Sequence, residues 1–107
     1  MANATAAYRL NPEMQEVLGT CLIRIIVRDQ TVIGHFGRYG YISGSLTGRD
    51  LDATLRDKRH EGHLTVTFDD SFMSFNGRYE IAVDDPPHYR ACTGTRVTRR
   101  NKTPHAR

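Results

Sequence analysis

Apolar and polar positions alternate with a period of two along most of this chain, the spacing that sends successive side chains to opposite faces of a β-strand. Leu51, Ala53 and Leu55 point one way while Asp52, Thr54 and Arg56 point the other. Leu64, Val66 and Phe68 alternate with Thr65 and Thr67, and Phe75, Gly77, Tyr79, Ile81 and Val83 alternate with Asn76, Arg78, Glu80 and Ala82. Upstream, Cys21, Ile23, Ile25 and Val27 give a strand with one wholly apolar face. Thr31 to Phe36 and Tyr41 to Leu46 read as two more, set between turns at Asp29-Gln30, Gly37 to Gly40 and Thr47 to Asp50. Asp84-Asp85-Pro86-Pro87 stops the strand before it, because proline has no amide to give a ladder. A last strand spans Ala91 to Thr98, which makes seven in all.

Ahead of these strands, Met1 to Asn11 carries little periodicity. Asn11 as N-cap, Pro12 at the first helical position, acidic residues in the first turn and Gly19 past the end predict a two-turn helix. It is placed to cover one open end of a sheet. Connections this short pair each strand with its neighbour, so the chain is an all-β, antiparallel up-and-down meander with a short N-terminal helix. It either closes into a small β-barrel, filled by its own side chains, or stays a strongly curved sheet. Interior glycines at Gly34, Gly44 and Gly77 permit the coiling that closure needs. Leu51, Leu55, Leu64, Val66, Phe68, Phe75, Tyr79 and Ile81 are the expected core.

The 107 residues suit one domain, and 38% apolar residues with a mean hydropathy of -0.54 place the chain among globular proteins. The longest apolar runs are too short to span a bilayer as a helix, and Met1 to Ala7 lacks a basic start and an apolar stretch. The expectation is therefore a cytoplasmic protein with no membrane partner. Cys21 and Cys92 each fall in a strand, where a free thiol packs as a small hydrophobe, and neither motif nor compartment supports a disulfide. The net charge of +3 belongs to the C-terminal end. Arg96, Arg99, Arg100, Lys102 and Arg107 lie there without an acid, which divides the chain into a β domain over 1–98, with an arm and helix over 1–19, and a basic flexible tail over 99–107.

The glycine spacing also carries a resemblance. Val32-x-Gly34-x-Phe36, Gly40-x-Ile42-x-Gly44-x-Leu46-x-Gly48, Gly62-x-Leu64-x-Val66-x-Phe68 and Phe75-x-Gly77-x-Tyr79, closed by Cys92-x-Gly94-Thr95-Arg96, resemble a glycine-punctuated β-hairpin family of small bacterial proteins of unknown function. The chain departs from that pattern at tryptophan-favoured positions, occupied here by Ala53, Tyr79 and Cys92. The aromatic-x-Gly-x-aromatic step at Phe75 to Tyr79 is more distantly similar to the membrane-occupation-and-recognition-nexus repeat. Both likenesses imply hairpins and carry over no catalytic residue.

Three kinds of chemistry are open to these residues. The first is a small binding or interaction module, acting on a protein partner or on itself, with no catalytic role and no cofactor. The second is single-stranded nucleic-acid binding. Arg38-Tyr39-Gly40-Tyr41 is similar to the aromatic-Gly-aromatic motif of cold-shock and RNA-recognition domains, where strand-borne rings stack on bases. Arg38, Tyr39 and Tyr41 are its candidate residues, with Arg96, Arg99, Arg100 and Lys102 as phosphate contacts. The third is a metal-dependent or hydrolytic enzyme. Its metal candidates are His60 and His63, which His35, His88 and Cys92 would join in space, and the spacing in His60-Glu61-Gly62-His63 lacks the two residues between Glu and His that a zincin helix needs.

Overall fold

In the computed structural model, which describes residues 3–59, 61–82 and 88–98, the alternating segments pair antiparallel in sequence order and close into a barrel. Its strands are β1 (Ala6–Leu10), β2 (Leu22–Arg28), β3 (Thr31–Phe36), β4 (Gly40–Thr47), β5 (Asp50–Arg56), β6 (Glu61–Phe68), β7 (Ser74–Ile81) and β8 (His88–Arg96). One helix, α1 (Pro12–Leu18), joins β1 to β2. The architecture is the expected meander, closed, but with eight strands rather than seven. The additional strand is β1, inside the segment that reads as aperiodic: Tyr8 and Leu10 point inward around an outward Arg9. It is also the strand that closes the barrel, pairing with β2 through Ala6↔Ile25 and with β8 through Leu10↔Gly94.

The transition from β1 into α1 shows why Asn11 stands before Pro12. Its side chain does not cap the helix. Instead its amide donates to the Thr93 carbonyl at 3.1 Å, its Nδ2 donates to Ala91 O at 3.1 Å, and its Oδ1 accepts from Thr93 N at 2.9 Å. Asn11 therefore extends the β1–β8 ladder with side-chain bonds where the backbone turns away. Gly19, at φ +70, ends the helix by donating to Gln15 O at 2.9 Å. Met14 and Leu18 join the core, and Glu13 meets Arg90 of β8 at 3.4 Å, so α1 is seated on the end of the barrel as expected.

Inward phases of the strands supply an apolar interior with no buried polar or charged residue among those described. All the expected core residues are buried except Ile81, which packs partly buried against the rest. Tyr8, Phe68 and Phe75 form an aromatic group with ring centroids 5.4 to 5.5 Å apart. Cys92 is buried as expected, whereas Cys21 lies just outside β2 and is exposed, and both are free. The interior glycines mark places where strands approach too closely for a side chain. At Gly44 and Gly77 an added Cβ would run into the backbone carbonyls of Asp52 and Thr65 on the neighbouring strands.

Candidate binding face

The two ends of the barrel differ. One is bounded by α1, the β3–β4 turn Gly37 to Tyr39 and the β5–β6 connection. The other is bounded by the N-terminal segment, the β6–β7 loop and the end of β8. Tyr39 and Tyr41 lie at or near the first, where they are 61% and 56% exposed. Arg96 lies at the second. Its guanidinium donates to Asn3 O at 2.9 Å, Thr5 O at 3.2 Å and Phe72 O at 3.4 Å, tying the N-terminal segment to the β6–β7 loop. Beside it, the buried Tyr8 hydroxyl donates to Ala4 O at 2.8 Å, and burial pushes its pKa up to about 12. The structure thus separates Arg96 from the tyrosine motif and gives it structural work. Arg99, Arg100, Lys102 and His60 lie outside the described residues.

Around Tyr41 the strand registers build a face that no single segment contains. Arg24 on β2 pairs with His35 on β3, His35 with Tyr41 on β4, and Tyr41 with Arg56 on β5. These four side chains point outward in one row across four strands, with direct neighbours roughly 5 Å apart. A hollow of about 280 Å³ lies beside the ring, lined by Tyr41, Ser43, Thr54 and Arg56. At the adjoining turn, Arg38 is exposed and the Lys58 ammonium sits 4.3 Å from the centre of the Tyr39 ring.

Charge is divided around the barrel. Between Thr20 and Arg49 the chain holds four arginines and a single acid, Asp29, which sits in the β2–β3 turn. The outward phases of β2, β3 and β4 therefore carry no carboxylate. They do carry Leu22, Ile33 and Tyr41, and with Tyr39 these make up most of the large apolar side chains exposed among the described residues. On β5 to β7 the outward phase holds four acids, Asp50, Asp52, Glu61 and Glu80, with Arg56 and Arg78 set among them. Glu61 pairs with Arg56 at 3.2 Å and marks the border. No family profile, curated protein or solved structure matches this chain.

Beyond that border lies a second depression of about 380 Å³, lined by Thr54, Glu61, Gly62, His63, Glu80 and Ala82. His63 Nε2 contacts the Asp52 carboxylate, and Glu80 stands opposite it on β7. Among the described residues no three such side chains come together as a metal-holding group. Closure of the barrel gives every described strand a neighbour on both sides, although β1 pairs with β8 only over Gly94 to Arg96.

Sequence reasoning found Arg38, Tyr39 and Tyr41 through their local motif. It missed Arg24, His35 and Arg56, because only the register brings them beside Tyr41. The one signal it could have used is the scarcity of acids from Thr20 to Arg49.

Proposed function

We propose that this chain is a non-catalytic binding module that engages an anionic partner through the outer face of β2 to β4 and the adjoining β3–β4 turn. The observation that carries this reading is the coincidence, on one side of the barrel, of exposed aromatic and aliphatic groups with basic side chains and no carboxylate on the strands. Scattered apolar exposure is ordinary, whereas apolar groups gathered with one sign of charge mark an interaction surface. The core supports the same reading, since an interior filled with apolar side chains directs recognition to the outside.

Salt elution from a heparin resin tests it. Arg24→Glu on β2 and Arg78→Glu on β7 change the net charge equally but lie on different sides of the barrel. Arg24→Glu should elute at clearly lower salt than Arg78→Glu. Equal displacement of the two would mean that only net charge matters, and the face would have no special role.

A further inference from the structure

We infer that the partner of this face is a single-stranded nucleic acid, with a base stacked on Tyr41 and phosphates held by Arg24 and Arg56; the inference rests on the anionic-partner reading above. Three features narrow the chemistry. An anion alone requires only the basic groups and leaves the exposed Tyr41 ring without a use. A ring on an open sheet face offers a flat π-surface to a planar ligand, and bases stack on such rings irrespective of sequence. The hollow beside the ring is lined by the hydroxyls of Ser43 and Thr54, each able to donate and accept, so it suits base edges of any pattern.

The layout of charge follows the same logic. Arg24 and Arg56 flank Tyr41 on the same row, separated from it by one strand and by none, so a chain crossing the strands meets Arg24, His35, the Tyr41 ring and Arg56 in turn. Arg56 keeps donors beyond the one that meets Glu61, because a guanidinium carries five. Glu61, Glu80 behind it and Asp50 and Asp52 further along β5 repel phosphate and confine the path to β2, β3, β4 and the Arg56 end of β5. The Tyr39 ring with Lys58 over it continues the path at the turn. A duplex hides its base faces inside the stack and leaves Tyr41 idle, so single strands are preferred. An acidic protein segment likewise supplies charge but no base to stack.

Fluorescence anisotropy with a labelled oligodeoxythymidine, a duplex of equal length and heparin as competitor separates these cases at about 50 and about 200 mM salt. The single strand should bind more tightly than the duplex. Tyr41→Ala should weaken single-strand binding about tenfold while Tyr41→Phe keeps it. Tyr41→Ala should leave heparin elution unchanged. Arg24→Ala should lower the salt dependence by about one counterion. Circular dichroism melts of the variants should match wild type, as expected for exposed positions. If Tyr41→Ala binds the single strand as wild type does, or the duplex binds equally well, the nucleic-acid inference is overturned while the anionic-partner reading stands. Retention on heparin without binding of either oligonucleotide has the same meaning. Loss of the Arg24 against Arg78 difference on heparin overturns the underlying reading instead.

Discussion

Replacing Gly94 with alanine tests how the barrel interior is packed, because the obstacle to a methyl group there is a single side chain. Gly94 faces Phe75 across β7 and β8, and an added Cβ would overlap the tip of that ring, at Cζ, Cε2 and Cε1. Gly94→Ala should therefore cost about 1–3 kcal/mol, the usual penalty for overpacking. Phe75→Leu shortens the side chain to its δ-carbons and so removes the atoms in conflict. It weakens the packing against Tyr8 and Phe68 and should cost roughly 1–3 kcal/mol by itself. If the two effects were independent, the double variant would lose about 2–6 kcal/mol. The geometry predicts a loss close to that of Phe75→Leu alone, since the new methyl then fills vacated space. Urea denaturation followed by circular dichroism gives all four stabilities. Additivity within about 0.5 kcal/mol would refute the reasoning. Gly77→Ala serves as the contrast. There the Thr65 carbonyl is in the way as well as Val66, so Val66→Ala should not rescue it.

The two buried tyrosines should respond oppositely to loss of their hydroxyls. Tyr8→Phe leaves the Ala4 carbonyl without its donor and should cost about 1 kcal/mol, whereas the Tyr79 hydroxyl is buried with no hydrogen-bond partner among the described residues, so Tyr79→Phe should be neutral or stabilising by up to about 1 kcal/mol in thermal melts. Burial raises the pKa of both tyrosines and of the Cys92 thiol to about 12, from 10.0 and 9.0. The unfolded chain therefore loses these protons first, and stability should be intact below about pH 9 and fall progressively towards pH 12. Melting temperatures across that range check it, and Cys92→Ala should move the onset up to about pH 10. Arg96→Lys keeps the charge but loses the forked donor, so it should destabilise by about 1–2 kcal/mol and speed amide exchange near Val27, whose amide rests on Thr5 Oγ1, with heparin elution unaltered. A chain ending at Thr98 should keep its melting temperature, since Val97 N donating to Ala7 O at 2.9 Å already lies within it. A clear drop would show that the tail docks on the barrel.

Seven strands were legible as strands because β-branched and aromatic residues lie between clear turn signals, and in β5, β6 and β7 strict alternation fixed the phase as well. β1 was not. Ala6-Ala7 has weak strand preference, and the alternation of Tyr8, Arg9 and Leu10 is too short to stand out before Asn11-Pro12. The same limit applies to the ends of β8. Arg90 and Arg96 occupy the inward phase, which a pattern of apolar positions rejects, yet at the mouths of the barrel their long stems reach over the rim to Glu13 and to the N-terminal carbonyls. Arg96 therefore reads in sequence as part of a basic tail and in the structure as a tie. The helix at Pro12 was legible from its proline and glycine, but the role of Asn11 was not, because its partners lie 80 and 82 positions away.

Closure by β1 has a kinetic consequence. Every other pair of strands joins sequence neighbours and can form as a local hairpin, whereas the seam between β1 and β8 must bring Asn11 to Ala91 across 80 positions. Until it forms, β8 presents bare amides and carbonyls, the kind of rim on which unfolded chains pair with one another. Long-range pairing of this sort slows folding, so the seam should be the late step. Once it has formed, it leaves Ala7 and Val97 side by side. Linking the chain ends and opening the chain in the Thr47 to Asp50 turn would make the β1–β8 seam local and pass the long-range closure to β4 and β5, so in such a circular permutant amide protection should appear last along that pair.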